Sequence, residues 1–188
     1  MSENSAVLTE TRGRILLITL NRPEAMNAIN TDLAQGLLAA VEELDSNDGL
    51  TAGVLTGNGR GFCSGMDLKA FAAGGPPKGF DQFLETGSKK PLIAAIEGFA
   101  LAGGLEVALT CDLLVAAKDA KIGIREVKVG LFAAGGALLR LPRRLPYSVA
   151  MEMALTGQPI TSDEAKSYGL VSRITENGGT IDAALELA

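Results

Sequence analysis

Residues 98–112, GFALAGGLEVALTCD, form a largely apolar stretch in which Glu106 follows the pair Gly103-Gly104. A buried ionised carboxylate is unfavourable unless another group pairs with it or the protein uses it. Two glycines that open a helix leave backbone N–H groups unpaired and accessible, and the helix dipole adds positive potential there. Such N–H groups could hold a developing oxyanion beside the carboxylate. From this motif alone, closely packed glycines and a solvent-facing glutamate remain the simpler explanation.

The absence of histidine from the 188 residues narrows the possible chemistry. It excludes Ser-His-Asp triads, Cys-His dyads and histidine metal ligands, so acid–base catalysis would need carboxylates, Lys, Tyr or Cys. Cys63 and Cys111 are far apart in the sequence, which predicts no zinc site and no disulfide framework and favours a reducing, cytoplasmic compartment. Without a histidine to activate it, Cys63 is expected to be a packing residue. We predict no metal and no redox cofactor.

Net charge, hydropathy and one incomplete glycine motif argue against nucleic acid, membrane and dinucleotide partners respectively. The formal net charge is −5 at pH 7, which disfavours nucleic acid because phosphates require a basic surface. Charged residues interrupt each apolar stretch before it could span a membrane. The motif GNGRGF has Phe62 where a dinucleotide-binding fingerprint requires glycine. We therefore expect no nucleic acid, membrane or dinucleotide partner.

Alternating strand and helix patterns predict an α/β protein. A hairpin is expected from Ala6–Thr9 and Ile15–Leu20, with its turn at Thr11–Gly13, and residues 74–79, GGPPKG, are expected to be a mobile loop. Further strands are predicted in TAGVLTG, PLIAAIEG, CDLLVAA, AKIGI and LVSRIT. These strands alternate with the predicted helices, which favours helices packed on sheets.

Helix signals are clearest near residue 30 and near residue 161. Asn30 or Thr31 is expected to cap an amphipathic helix, and Thr161 with Glu164 forms a capping-box pattern. The first helix should bury one face, formed by Leu33, Leu37, Val41 and Leu44. Other helices are predicted in MDLKAFAA, GGLEVALT, residues 147–155, residues 162–168 and TIDAALELA, and a short one within REVKVGLFAAGGALLRLP.

Three longer motifs, GRGFCSGMDL, KPLIAAIEGFALAGGLEVALTCD and IREVKVGLFAAGGALLRLP, occur in this order and spacing. With NRPEAMNAI before them and LTGQPITSDEAKSYGLVSRI after them, they closely resemble the crotonase (enoyl-CoA hydratase/isomerase) superfamily, especially its actinobacterial-type enoyl-CoA hydratases. The resemblance extends from about Ile15 to Ile174. It implies a crotonase-like spiral of ββα units, in which two roughly perpendicular sheets are surrounded by helices.

The resemblance also implies a site for acyl-CoA thioesters, with coenzyme A entering as part of the substrate. By motif position, the backbone N–H groups of Met66 and Gly103 form the oxyanion hole, and Glu106 and Glu126 are catalytic. The substrate-binding positions that it implies are Ala25, Asp67, Leu68, Lys69 and Gly104. No metal site is implied.

These residue types suit the addition of water to an enoyl thioester. Two N–H donors would polarise the thioester oxygen, and two carboxylates could orient one water molecule. A shared apolar pocket would raise one carboxyl pKa, so one acid could be protonated while the other is charged. We expect Glu126 to donate a proton to C2 and Glu106 to position and activate water. Considered without the resemblance, Glu126 could instead form a surface ion pair with Arg125.

The resulting hypothesis is an enoyl-CoA hydratase of fatty acid β-oxidation, acting as a homotrimer or dimer of trimers. The alternatives are an enoyl-CoA isomerase, which needs one base and no held water, and a non-catalytic acyl-CoA-binding relative. Arg125 and Ala133-Ala134 differ from the proline and Pro-Gly common in the family, and the resemblance places both differences in the wall near the acyl group. Residues 1–188 are expected to be a catalytic core that lacks most of the family's C-terminal helical region.

Overall fold

Two β-sheets organise the chain, of which the computed structural model describes residues 5–188. The strands, in chain order, are β1 (Val7–Arg12), β2 (Ile15–Leu20), β3 (Ala52–Gly57), β4 (Leu92–Ile96), β5 (Phe99–Leu101), β6 (Leu113–Ala117), β7 (Lys121–Gly123), β8 (Ile160–Thr161) and β9 (Arg173–Thr175). The larger sheet has the order β1-β2-β3-β4-β6-β9, and the smaller has the order β5-β7-β8. In the larger sheet only β1 and β2 are antiparallel.

Helices surround both sheets, as the α/β pattern predicts. They are α1 (Thr31–Ser46), α2 (Leu68–Gly74), α3 (Phe80–Thr86), α4 (Gly103–Ala108), α5 (Ala137–Arg144), α6 (Tyr147–Thr156), α7 (Ser162–Ser167) and α8 (Thr180–Leu187). Two 3-10 turns, Pro23–Ala25 and Glu126–Val129, lie between these elements. The predicted capping box at α7 is confirmed, because Thr161 and Glu164 exchange both side-chain to backbone hydrogen bonds.

Helix α1 covers one face of the larger sheet. The side chain of Asn30 accepts a hydrogen bond of 3.0 Å from the N–H of Leu33, so Asn30 is the N-cap. All four side chains of the predicted apolar face are buried, and they join one core with sheet residues such as Ile18 and Leu55. The predicted amphipathic helix is confirmed.

Helix α8 packs on the opposite face of the larger sheet. Its Ala184 is buried among sheet residues that include Leu17, Val54 and Val115. The carboxylate of Glu97, which follows β4, accepts hydrogen bonds from the hydroxyl of Thr180 at 2.7 Å and from its backbone N–H at 3.3 Å. These bonds fasten the start of α8 to the point where the chain leaves the larger sheet.

Several sequence expectations are corrected by the structure. The hairpin turn is at Gly13-Arg14 rather than at Thr11–Gly13, because β1 continues to Arg12. Helix α3 and the short strands β5 and β8 were not predicted.

Within residues 5–188, no helix is long and apolar enough to cross a membrane, and no group of three or more His, Cys, Asp or Glu residues is placed to hold a metal ion.

Candidate active site

The backbone N–H groups of Met66 and Gly103 lie side by side where two chain segments meet. The segment before Met66 runs beside β5, with the N–H of Leu101 donating to Cys63 O at 3.0 Å. A Cβ on Gly103 would lie 3.6 Å from Met66 N, and a Cβ on Gly65 would lie 3.3 Å from Gly103 N. Neither N–H group has an acceptor among residues 5–188, so both are free to bind a ligand oxygen.

Neighbouring contacts hold these two N–H groups in place. The N–H of Ile29 donates to Gly65 O at 2.8 Å, and the N–H of Asp67 donates to Ile29 O at 3.0 Å, which leaves the intervening Met66 N–H directed away from Ile29. Ala102, the N-cap of α4, has φ of 52° and ψ of −129°, a region that side chains rarely occupy. Local strain of this kind is typical of functional sites, and here it precedes Gly103.

Glu106 is buried in the first turn of α4, with 4% of the residue exposed. Its Oε1 accepts a hydrogen bond of 3.2 Å from the N–H of Ala137, the first residue of α5. Burial raises the pKa of Glu106 to about 7, and the charge of Glu126 adds to this effect, while the N–H groups of Ala137 and Gly135 and the charge of Arg140 oppose it. The solvent-facing explanation of Glu106 is therefore wrong.

Gly135 is a site residue that sequence reasoning missed. A Cβ at this position would lie 2.5 Å from Glu106 Oε2 and 2.6 Å from Leu84 Cδ1, distances that real side chains do not tolerate. The Gly135-Gly136 pair is visible in the sequence as a candidate turn, but local spacing does not predict its contact with Glu106. Only glycine allows the loop to approach the carboxylate this closely.

Glu126 begins the 3-10 turn Glu126–Val129 and is half-buried. Its Oε2 is buried and has no hydrogen-bond partner within residues 5–188. Burial raises the pKa of this carboxyl. Among residues 5–188, the ion pairs do not include one between Arg125 and Glu126. The explanation of Glu126 as half of a surface ion pair is therefore wrong.

A cavity of about 690 Å³ brings the four central predicted groups together. Met66, Gly103, Glu106 and Glu126 all line it, as does Leu68. The rest of its wall is mainly apolar and includes Met26, Phe71, Pro76, Phe80, Phe99, Leu101, Val129, Leu131 and Phe132, with Asp81, Arg125 and Lys128 as the other charged residues. The cavity thus combines a long apolar surface with two acids and two free N–H donors.

Four other predicted substrate-binding residues are not part of the cavity wall. Asp67 caps α2 by accepting from Ala70 N at 3.1 Å, and it pairs with Arg22 at 3.0 Å. Lys69 is exposed on α2, and Ala25 is half-buried in the first 3-10 turn. Gly104 is buried, and a Cβ there would lie 2.4 Å from Cys63 O, so it serves the close approach of two segments. Their contribution to substrate binding stays a prediction.

Cys63 packs behind the segment that leads to Met66. It is fully buried, its Sγ donates to Asn27 O at 3.0 Å, and the N–H of Gly65 donates to its Sγ at 3.4 Å. Burial raises the pKa of its thiol to about 12, so the thiolate needed of a nucleophile does not form near neutral pH. The expectation of a packing residue is confirmed.

Comparison with known proteins agrees with this geometry. Residues 10–188 match the family model described as enoyl-CoA hydratase/isomerase. Enoyl-CoA hydratase EchA19 of Mycobacterium tuberculosis is 41% identical over 193 residues, which cover 96% of this chain and 72% of that protein. The 2,3-dehydroadipyl-CoA hydratase of Escherichia coli is 36% identical, with 98% of this chain and 74% of that protein covered.

Solved structures show the same fold. The crystal structure of enoyl-CoA hydratase EchA1 from Mycobacterium marinum superposes with a TM-score of 0.93 at 51% identity, covering 98% of this chain and 74% of that chain. Two sheets surrounded by helices, the fold implied by the sequence resemblance, are therefore confirmed. The fold, the matching family model and the relatives agree that this chain belongs to the enoyl-CoA hydratase/isomerase family.

Proposed function

We propose that the protein is an enoyl-CoA hydratase, which adds water across the C2=C3 bond of a 2-trans-enoyl-CoA to give a 3-hydroxyacyl-CoA. One observation carries this proposal: a single cavity encloses two carboxyl groups and two backbone N–H groups that have no acceptor within residues 5–188. An isomerase needs only one base, so the presence of both Glu106 and Glu126 favours hydration.

In this mechanism the thioester oxygen accepts hydrogen bonds from the N–H groups of Met66 and Gly103. Donors fixed in this way stabilise the negative charge that develops as water attacks. Glu106, when ionised, takes one proton from the water molecule as the water oxygen bonds to C3. Glu126, when protonated, gives its proton to C2, so that H and OH have been added. Proton exchange then restores both carboxyl groups.

Burial raises the pKa of both carboxyl groups above the ordinary value. With a pKa of about 7, Glu106 is partly ionised at neutral pH and can act as a base. Burial also raises the pKa of Glu126, while the backbone N–H groups of Glu126 and Arg125 lower it. Two interacting acids of this kind can share one proton and exchange it through the reaction.

The substrate, assembly and setting form the rest of the proposal. The apolar wall suits an acyl chain, and a role in fatty acid β-oxidation would follow. We propose that copies of the chain associate as a trimer or dimer of trimers, supported by the exposed side chains of Leu139, Tyr147 and Leu155 on α5 and α6. The unpaired thiols of Cys63 and Cys111 support a reducing, cytoplasmic compartment.

Loss of enoyl-thioester ultraviolet absorbance tests the proposed reaction directly. The purified protein would be assayed with one short and one long 2-enoyl-CoA, beside Glu106→Gln, Glu126→Gln and the surface control Glu85→Gln. We expect rapid loss in the parent and the control and a decrease of at least a hundred-fold in both site variants, roughly the contribution of a positioned acid or base. Unchanged rates in both site variants would refute the mechanism.

The same assay separates the alternatives. An isomerase would not hydrate these 2-enoyl-CoA substrates, so their ultraviolet absorbance would persist. It would instead generate the same absorbance from a 3-enoyl-CoA. A non-catalytic relative would bind coenzyme A thioesters and change neither. Equilibrium binding measured by calorimetry distinguishes that relative from a protein with no affinity for coenzyme A.

A further inference from the structure

Arg140 holds its guanidinium between backbone carbonyl groups instead of pairing with a carboxylate. Its Nη1 donates to Gly135 O at 2.9 Å, and its Nη2 donates to Leu84 O on α3. The residue is half-buried, and none of the ion pairs found within residues 5–188 involves it. A charge placed in this way calls for an explanation, since surface solvation would be less costly.

The segment fixed by Arg140 is the same segment that holds Glu106. The Glu106 carboxylate contacts Gly135 and accepts from the N–H of Ala137. Between them, Gly136 has φ of +103°, and a Cβ there would lie 2.2 Å from Arg140 Nη1. Residues 135–137 therefore run between the guanidinium on one side and the carboxylate on the other.

Arg140 itself lies outside the cavity wall. It is nevertheless one of two charged groups that act on Glu106, the other being Glu126 from the 3-10 turn. The two have opposite effects, because the guanidinium favours the ionised form of Glu106 and the second carboxylate disfavours it.

We propose that Arg140 is a positioning residue for Glu106: by bonding Gly135 O and Leu84 O together, it fixes the 135–137 loop and so sets the orientation and ionisation of the carboxylate that activates water. This inference rests on the proposed hydratase function. Helix α3 also contributes Phe80 and Asp81 to the cavity. The two hydrogen bonds of Arg140 therefore connect this part of the cavity wall to the loop that holds Glu106.

The test compares Arg140→Gln and Arg140→Lys with the matched control Arg143→Gln. Arg143 is on the same helix, is exposed, and its replacement removes the same charge. Hydration of a 2-enoyl-CoA would be measured from pH 5.5 to 9 to obtain kcat and KM separately. In Arg140→Gln we expect kcat at neutral pH to decrease by about ten- to a hundred-fold, the cost of misplacing a catalytic group by about 1 Å, with KM nearly unchanged.

The pH profile separates positioning from a general structural effect. Loss of Arg140 should move the acidic limb of kcat/KM to higher pH, so the decrease should be several times larger at pH 6 than at pH 8.5. Arg140→Lys keeps the charge but not the two-carbonyl clamp, so it should lower kcat with the limb in place. Carbon-13 NMR of labelled glutamate would follow the titration of Glu106 without any turnover.

Each outcome decides the inference. A parent without hydratase activity refutes the proposed function, whereas an active parent with Arg140→Gln identical to Arg143→Gln refutes the role of Arg140 alone. A uniform decrease at every pH with an unmoved Glu106 titration would show a structural residue and overturn the proposal. If Arg140→Gln fails to fold, Arg140→Lys decides: wild-type kcat in that variant, or failure of it to fold as well, also overturns the proposal.

Discussion

Replacing Glu106 by glutamine should stabilise the protein at neutral and alkaline pH while it abolishes hydration. Glu106 is 4% exposed, and the pKa of its carboxyl rises from an ordinary value of 4.5 to about 7 in the folded chain. A group whose pKa is raised by folding contributes stability below its unfolded pKa and loses that contribution as the pH increases through the folded pKa. Glutamine has no charge to bury, so the variant avoids this loss.

The expected magnitude follows from the two pKa values of Glu106. At about 1.4 kcal/mol per pH unit, the change from 4.5 to about 7 corresponds to about 3 kcal/mol of unfolding free energy. The glutamine carbonyl can still accept the hydrogen bond from the N–H of Ala137. The stability difference between variant and wild type should therefore be small at pH 4.5, grow up to about pH 7 and remain level above it.

Urea unfolding at several pH values between 4.5 and 8.5 measures this difference. Thermal melts give a second readout, since about 3 kcal/mol corresponds to an increase of roughly 6–12 °C in Tm for a chain of this size. Glu85→Gln makes the same change in net charge at an exposed position and corrects for long-range electrostatics. A Glu106→Gln variant that is less stable than wild type at pH 8 would refute the argument that burial of the charge is uncompensated.

Three further predictions concern the surroundings of the site and the core. Gly135→Ala should lower kcat by about a hundred-fold, because its Cβ would collide with the Glu106 carboxylate. Gly74→Ala, where a Cβ meets open space, should leave kcat unchanged, and equal kcat values for the two variants would show that the loop can move aside. Cys63 and Cys111 are both buried with thiol pKa values of about 12, so iodoacetamide at pH 8 should label neither in the folded protein and both in urea, as mass spectrometry would detect. Asn30→Ala removes the cap of α1 and should cost about 1 kcal/mol of unfolding free energy, with unchanged stability contradicting the capping role.

Elements with a strong local signal could be predicted from the sequence. Helix α1 has a capping residue, Asn30, that marks its start and a regular apolar face that identifies its buried side. The start of helix α7 is marked by its capping box. Helix α3 has neither signal: Gly79 precedes it without a side-chain cap, and its register depends on burial of Phe83. Strands β5 and β8 have only three and two residues, and they exist because β7 lies between them.

The candidate site divides in the same way. Gly103 and Glu106 share one motif, so their proximity follows from helix geometry. Glu126 is twenty positions further along, by the numbering in the sequence, and only the family resemblance paired it with Glu106. The contact between Gly135 and Glu106 joins a loop to a helix, and nothing in local spacing specifies it.

The surroundings of the two carboxyl groups act on their pKa values in both directions. Burial alone raises both pKa values, which would leave two acids with no division of roles. The hydrogen bond from Ala137 and the charge of Arg140 lower the pKa of Glu106, while the backbone N–H groups of Glu126 and Arg125 lower that of Glu126. The loop at 135–137 therefore opposes the effect of burial on the pKa of Glu106, which is nevertheless raised to about 7. The two carboxyl groups therefore differ in their contacts, because the backbone segment 135–137, which only glycine allows to come so close, bonds to Glu106.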